Sequence, residues 1–470
     1  MGPLKGKPGY EGFLNEHVAA LPEVMKEGNY STIMSGKWHL GSTKDQCPSA
    51  KGFEKVFSLL QGGTLLSVAF VTVGGNHYRI ELKDGGKHQA VFKSTYDVGQ
   101  DKPFKLLTDL PEDFYSSDFY ADQLIRFLDA RPQDKPFFAY LPFTAPHWPL
   151  QAPPEITAKY KGKYDDGPEA LRQRRLAAQV KLGLLDEGVE PYPLVGGKTW
   201  AEMSKDERKY SAKTMEIYAA MVERMDYNIG KVVDYLEEQG QLDNTFIVFH
   251  SDNGAEGAVL EALPVIGPAF KKAIETFYDN SYENLGNANS WIWYGPRWAQ
   301  AATAPSRMNK GYITQGGIRC PAIVRYPRVF PGGAVSHEFT TVMDIYPTCL
   351  ELAGIPQPKG KFKERSVVPV RGRSWINHFK GRGKVYNETS FTGWELFGQQ
   401  AVRQGRWKAL FIPPPLGKGE WELYDLDEDP GEIYDLAAKE KDKMEEMVGL
   451  WEQYENDAGV LLSPDIPRFL

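Results

Sequence analysis

Hydrophobic positions follow one theme along most of the chain. A stripe at helical spacing is followed by a short apolar block and then by a polar loop. In 17–27, Val18, Leu21, Val24 and Met25 step by three and four, and Gly28-Asn29 stops the helix they predict. The block 30–34 reads as a strand and runs into Ser35-Gly36-Lys37-Trp38-His39-Leu40-Gly41. In 117–131, Phe119, Leu124, Ile125 and Leu128 predict a second helix, closed by Pro132; the strand 136–141 and the loop 142–150 follow. The third helix is the clearest, with Ile217, Met221, Met225, Ile229, Val232 and Leu236 on one face. Gly240 ends it, 246–250 reads as a strand, and Ser251-Asp252-Asn253-Gly254 opens the next loop. A fourth strand is predicted at 322–326, after the glycine-rich loop 310–321.

Helices alternating with short, all-apolar strands predict an α/β domain: a largely parallel central sheet flanked by helices. Ligands in such sheets bind beyond the carboxyl ends of the strands. The loops 36–41, 144–149 and 251–257 each follow a predicted strand, so all three are expected on one edge of one sheet. The charged, Pro-containing stretch 151–211 reads as an excursion over that edge. A helix after Thr341 closes the large domain, and 355–371 reads as a basic linker. Beyond it, 395–412 and 419–426 predict antiparallel strands. A last helix at 439–454 puts Met444, Met447, Trp451 and Tyr454 on one face. The expected division is 1–357 for the large domain and 358–470 for a smaller α+β domain.

Composition narrows the function classes. With 41% hydrophobic and 25% charged residues the chain has a globular balance, and its net charge of -7 supplies no basic footprint for nucleic acid. Three cysteines cannot form a disulfide framework. The longest apolar run, 65–73, falls short of the roughly 18 residues that span a bilayer. No signal peptide precedes it, so the chain as written is expected to be cytoplasmic.

Polar residues in the loops carry the candidate chemistry. Asp252 and Asn253 offer adjacent oxygen donors that suit a hard cation, though the same residues make ordinary turns. Lys37 and His39 are two apart and, on an extended backbone, point the same way. They could hold an anion and shuttle a proton, or be a solvated lysine and a satisfied histidine. His147 sits between two prolines that stiffen its loop, as a general acid or as a structural residue. Lys310 is a second cation or an exposed lysine, and His77 stays unassigned. Together these groups describe a site for a tetrahedral oxyanion ester beside a divalent metal.

The motifs also carry a resemblance. The 36–41 loop followed by 48–60 resembles the second signature region of the sulfatases. The order then continues with Asn76-His77-Tyr78, 144–153, 250–257, 295–321, 401–410 and 421–437. From about Pro8 onward the chain looks like an arylsulfatase of the alkaline-phosphatase superfamily. The resemblance implies hydrolysis of a small-molecule sulfate ester at one calcium or magnesium ion, with Asp252 and Asn253 as two of its ligands. Lys37 would bind the sulfate, His39 would take a proton as the sulfated intermediate collapses, and His147 and Lys310 would steady the sulfate and protonate the leaving alcohol.

In that family a cysteine in Cys-x-Pro-Ser-Arg becomes the formylglycine nucleophile, and an Asp-Asp pair supplies further metal carboxylates. Neither motif occurs in these 470 residues, so no nucleophile is assigned. Cys47-Pro48-Ser49-Ala50 follows the Lys37 loop instead of preceding it and lacks the arginine. Three expectations follow: the N-terminus is incomplete, 62–75 is a translated intron, and two strands lack a neighbour, which makes the chain poorly soluble. The alternatives are a phosphonate or phosphate monoester hydrolase on the same scaffold, and a non-catalytic anion-binding protein.

Overall fold

The computed structural model describes residues 4–60, 96–97, 106–107, 114–257 and 267–462. His77 and the stretch 62–75 lie outside the described residues. The main sheet has the order β4-β3-β2-β1-β5, with β1 at Ser31–Lys37, β2 at Lys55–Leu59, β3 at Tyr96–Asp97, β4 at Leu106–Leu107 and β5 at Phe137–Tyr140. Strand β1 pairs in parallel with β2, Ile33 opposite Lys55, and with β5, Ser31 opposite Phe137. The short β3 and β4 add antiparallel.

Strand β1 is buried along nearly its whole length, its serines and threonine included, because both of its faces are covered. Ile33 packs with Phe57, Leu59, Tyr120, Leu124 and Leu128 under the helix Ser116–Asp129. Met34, one residue on, packs on the other face with Val56, Phe53, Trp38 and Leu60. The helix Lys205–Glu238 braces the first one. Arg224 grips the Asp118 carboxylate with two bonds of 2.6 and 2.7 Å, and Asn228 Nδ2 adds a third at 2.6 Å. A capping box starts this long helix: the Glu207 N–H donates to Ser204 Oγ, and the Ser204 N–H donates to Glu207 Oε2.

The fourth predicted strand departs from expectation. Strand β6, Ile247–His250, pairs antiparallel with β7, Ala322–Arg325, in a separate two-stranded sheet. The loop after β6 therefore does not leave the same sheet as the loops after β1 and β5. Sequence periodicity marks a strand but does not reveal its partner or direction.

The basic stretch at 355–371 is anchored, not free. It forms the hairpin β8, Lys361–Phe362, and β9, Arg365–Ser366. Arg365 pairs with Glu23 at 2.6 Å, Lys363 pairs with Glu27 at 2.8 Å, and the Val368 N–H donates to His17 O. Its charges answer acids on the helix Leu21–Glu27. Beyond it, β10 (Phe391–Leu396), β11 (Gln399–Gln404), β12 (Trp407–Phe411) and β13 (Trp421–Asp425) form an antiparallel meander. The helix Lys441–Ala458 covers one face of it, with Met447 and Trp451 buried and Met444 and Tyr454 packed beside them. The fold is thus α/β, with parallel strands β2, β1 and β5 between helices and an antiparallel C-terminal sheet.

Candidate active site

The site starts where β1 runs out. The Lys37 N–H donates to Pro142 O at 2.8 Å, which ties the end of β1 to the loop after β5. Gly36 permits the approach: its φ is +141°, and a Cβ there would lie 2.1 Å from Pro142 O. Trp38 is buried, and its indole N–H donates to Gln46 O at 2.9 Å. His39 adopts φ +59°, so the backbone turns at this point instead of staying extended as the two-residue spacing predicted. Its N–H donates to Leu60 O at 3.2 Å.

His147 arrives from β5. Its N–H donates to Thr144 O at 3.1 Å, and Nδ1 lies 2.7 Å from Trp148 O. A carbonyl only accepts, so Nδ1 carries the proton and Nε2 of the neutral ring is left as an acceptor. Asp252 and Asn253 arrive from β6. Asn253 Nδ2 donates to Asp252 Oδ1 at 2.7 Å. The Gly254 N–H donates to Gly317 O at 2.9 Å, and a Cβ on Gly254 would lie 1.8 Å from Gly316 O. This contact fastens the 251–257 loop to the glycine-rich loop that carries Lys310. The Lys310 N–H also donates to Ala255 O at 3.0 Å.

Glu256 is the site residue that pattern reading passed over. Its Oε2 lies 2.8 Å from Lys310 Nζ and 3.8 Å from His147 Nε2. It stands inside the 250–257 motif, but nothing in its spacing sets it apart from an exposed loop glutamate. Only the fold brings it to Lys310.

Electrostatics show which groups share one space. Desolvation, followed by the ammonium of Lys310, lowers the Lys37 pKa, and Asp252 and Glu256 oppose the shift. His39 keeps an exposed edge, yet the packing around it, then Lys37 and Lys310, lower its pKa to about 4. Burial first, then Lys310 and Lys37, hold His147 well below the ordinary histidine range. Lys37, His39 and His147 thus each feel Lys310, Lys37 and His39 also feel Asp252, and Asn253 is hydrogen-bonded to Asp252. Of the cysteines, Cys47 is fully buried in the apolar cluster with Met34 and Trp38, and burial, followed by the charge of Asp252, raises the Cys320 thiol to about 11.

A calcium or magnesium ion asks for six or more oxygens. Asp252 and Asn253 offer two side chains, and the Asn253 amide nitrogen already occupies one Asp252 oxygen. Among the described residues no group of three or more His, Cys, Asp or Glu side chains could hold a metal ion. These donors alone do not fit the ion.

Two ammonium groups, two imidazoles and the Asp252 and Glu256 carboxylates converge from separate loops, an arrangement that suits an anion. Comparison with known proteins makes this specific. Residues 4–355 match the family model described as Sulfatase, and 307–456 match the model described as N-sulphoglucosamine sulphohydrolase, C-terminal. The chain belongs to the sulfatase family. It is 52% identical over 468 residues to an uncharacterized sulfatase of Schizosaccharomyces pombe, covering 98% of this chain and 80% of that protein. It is 34% identical over 373 residues to an arylsulfatase of Klebsiella aerogenes, covering 78% and 75%. In structure it resembles Ps i-CgsB in complex with k-i-k-neocarrahexaose, with a TM-score of 0.60 at 22% identity, covering 93% of this chain and 74% of that one. At that identity the likeness speaks for the fold alone.

Proposed function

We propose that this chain binds a sulfate ester between Lys37 and Lys310, and that hydrolysis of such esters is the chemistry its site serves. The observation that carries the reading is the convergence of both ammonium groups and two neutral imidazoles from three separate loops. Two cations within one partly desolvated space repel each other, which costs stability unless an anion joins them. The anion's oxygens would take the place of Glu256 on Lys310 Nζ. His147, protonated on Nδ1, presents Nε2 as an acceptor, so in the free site it takes a proton before it can give one. A bound anion raises the pKa of both histidines and makes them acids toward a leaving alcohol.

The 470 residues contain no Cys-x-Pro-Ser-Arg, so we expect this polypeptide by itself to hold the anion without turnover. Titration calorimetry with inorganic sulfate and an aryl sulfate tests the reading. Lys37→Ala and Lys310→Ala are each expected to weaken binding about tenfold or more, as loss of a charge-assisted hydrogen bond does. Equal affinity in wild type and both variants would sink it, and phosphate or a phosphonate bound far more tightly than sulfate would move the substrate class to phosphorus esters.

A further inference from the structure

Lys310 lies in a loop gripped from behind by the C-terminal sheet. Arg307 Nη1 donates to Glu422 Oε2 at 2.6 Å and to Tyr424 Oη at 3.1 Å. Gln399 Nε2 donates to Gly311 O at 2.8 Å, and the Ile313 N–H donates to Gln399 Oε1 at 3.4 Å. Lys408 Nζ donates to Ile313 O at 2.8 Å and pairs with Glu432 Oε1 at 2.6 Å. The second oxygen of Glu432 accepts from the Gln315 N–H at 2.8 Å. Gln399, Lys408 and Glu432 are all fully buried. The side chain of Ile313 packs into Ala401, Leu410, Ile412 and Tyr424 of the same sheet.

Gln399 on β11, Lys408 on β12 and Glu432 just past β13 serve the loop more than they serve the meander. Burying a lysine, a glutamate and a glutamine costs free energy that apolar residues of similar size avoid. A meander holds itself together by its backbone ladder and needs none of the three. What they do accomplish is to fix four backbone groups, on Gly311, Ile313 and Gln315, directly after a lysine whose ammonium is paired with Glu256.

We propose that the C-terminal sheet is the back wall of the anion site, and that Gln399 is a positioning residue that sets Lys310 by holding Gly311 and Ile313. The proposal rests on the anion-binding reading above. It gives a physical reason for the small sheet to accompany the large domain: the glycine-rich loop has too little side-chain packing of its own to fix a lysine to within a fraction of an ångström. A shift of that size in a binding group is felt strongly.

The test is a double-mutant cycle on the full chain, read by titration with inorganic sulfate. Gln399→Leu is expected to weaken sulfate about tenfold, and to add almost nothing on a Lys310→Ala background. Val402→Ala serves as the control. Val402 lies on the opposite face of β11, buried against Met447 and Trp451, so its truncation lowers Tm without changing sulfate affinity. If Gln399→Leu does not fold, Gln399→Glu takes its place in the cycle, since it keeps the acceptor for Ile313 and removes the donor to Gly311. A Gln399 variant that binds sulfate as wild type does, or whose loss is fully additive with Lys310→Ala, overturns the positioning role alone. Wild-type protein that binds no sulfate overturns the anion-binding reading first, and this inference with it.

Discussion

Glu256 places a negative charge in a space whose other groups favour anions. Its carboxylate holds Lys310 Nζ at 2.8 Å, so an entering sulfate must compete with it. Two like charges about 6 Å apart at an effective dielectric near 20 repel by roughly 3 kcal/mol before salt screening. Glu256→Gln is therefore expected to tighten inorganic sulfate on the order of tenfold, and weaker binding in the same titration would contradict the competition. The histidines carry a pH signature. The His39 pKa falls from the ordinary 6.5 to about 4, so between these values the unfolded chain binds more protons than the folded one. Stability contributed by the neutral ring is present above 6.5 and is lost as pH falls toward 4. His147 is shifted in the same direction, so the two losses add. Denaturant unfolding across this window is expected to show a slope that His39→Gln reduces, and saturating sulfate is expected to flatten it by raising both pKa values. A slope indifferent to both would place these rings outside the anion site.

At the scale of elements, the close approach of loops does what the sheet alone does not. Gly36→Ala would drive a Cβ to 2.1 Å from Pro142 O on a backbone at φ +141°, and the expected loss is about 3 kcal/mol or more in denaturant unfolding. A loss under about 1 kcal/mol would mean that the junction of β1 with the loop after β5 relaxes easily. The elements themselves were largely legible. The stripe Ile217 to Leu236 marks most of the long helix Lys205–Glu238, and the block 30–34 reads as a strand. Polar residues after strands marked Lys37, His147 and Asp252, since loops at carboxyl ends are where a site forms. Other features depend on long-range pairing that no local pattern encodes. The antiparallel match of β6 with β7, the docking of Arg365 on Glu23 and the ion pair from Glu256 to Lys310 each join residues more than 50 positions apart. His39 was marked by the same loop pattern, but its left-handed backbone at φ +59° was not, since residue spacing carries no trace of it.

For the whole molecule, the arrangement of sheets sets the behaviour in solution. Among the described residues, strand β5 ends the main sheet, and β6 with β7 makes a sheet of two strands. Ile323, on β7, is 66% exposed, and Tyr140, at the end of β5, is 43% exposed. Edges with unpaired backbone groups and apolar side chains recruit further strands, and a second copy of the chain is the partner present at highest concentration in a purified sample. Sedimentation velocity is therefore expected to show association that grows with protein concentration. Ile323→Lys places a charge where a neighbouring strand would pack. Burying one isoleucine contributes about 2 kcal/mol, so the variant is expected to weaken self-association ~30-fold. The sulfate site lies on other loops, and its affinity in Ile323→Lys is expected to stay at the wild-type value. A wild-type protein that sediments as one species at every concentration would show that these edges are covered within the chain itself, and the lysine variant would then change nothing.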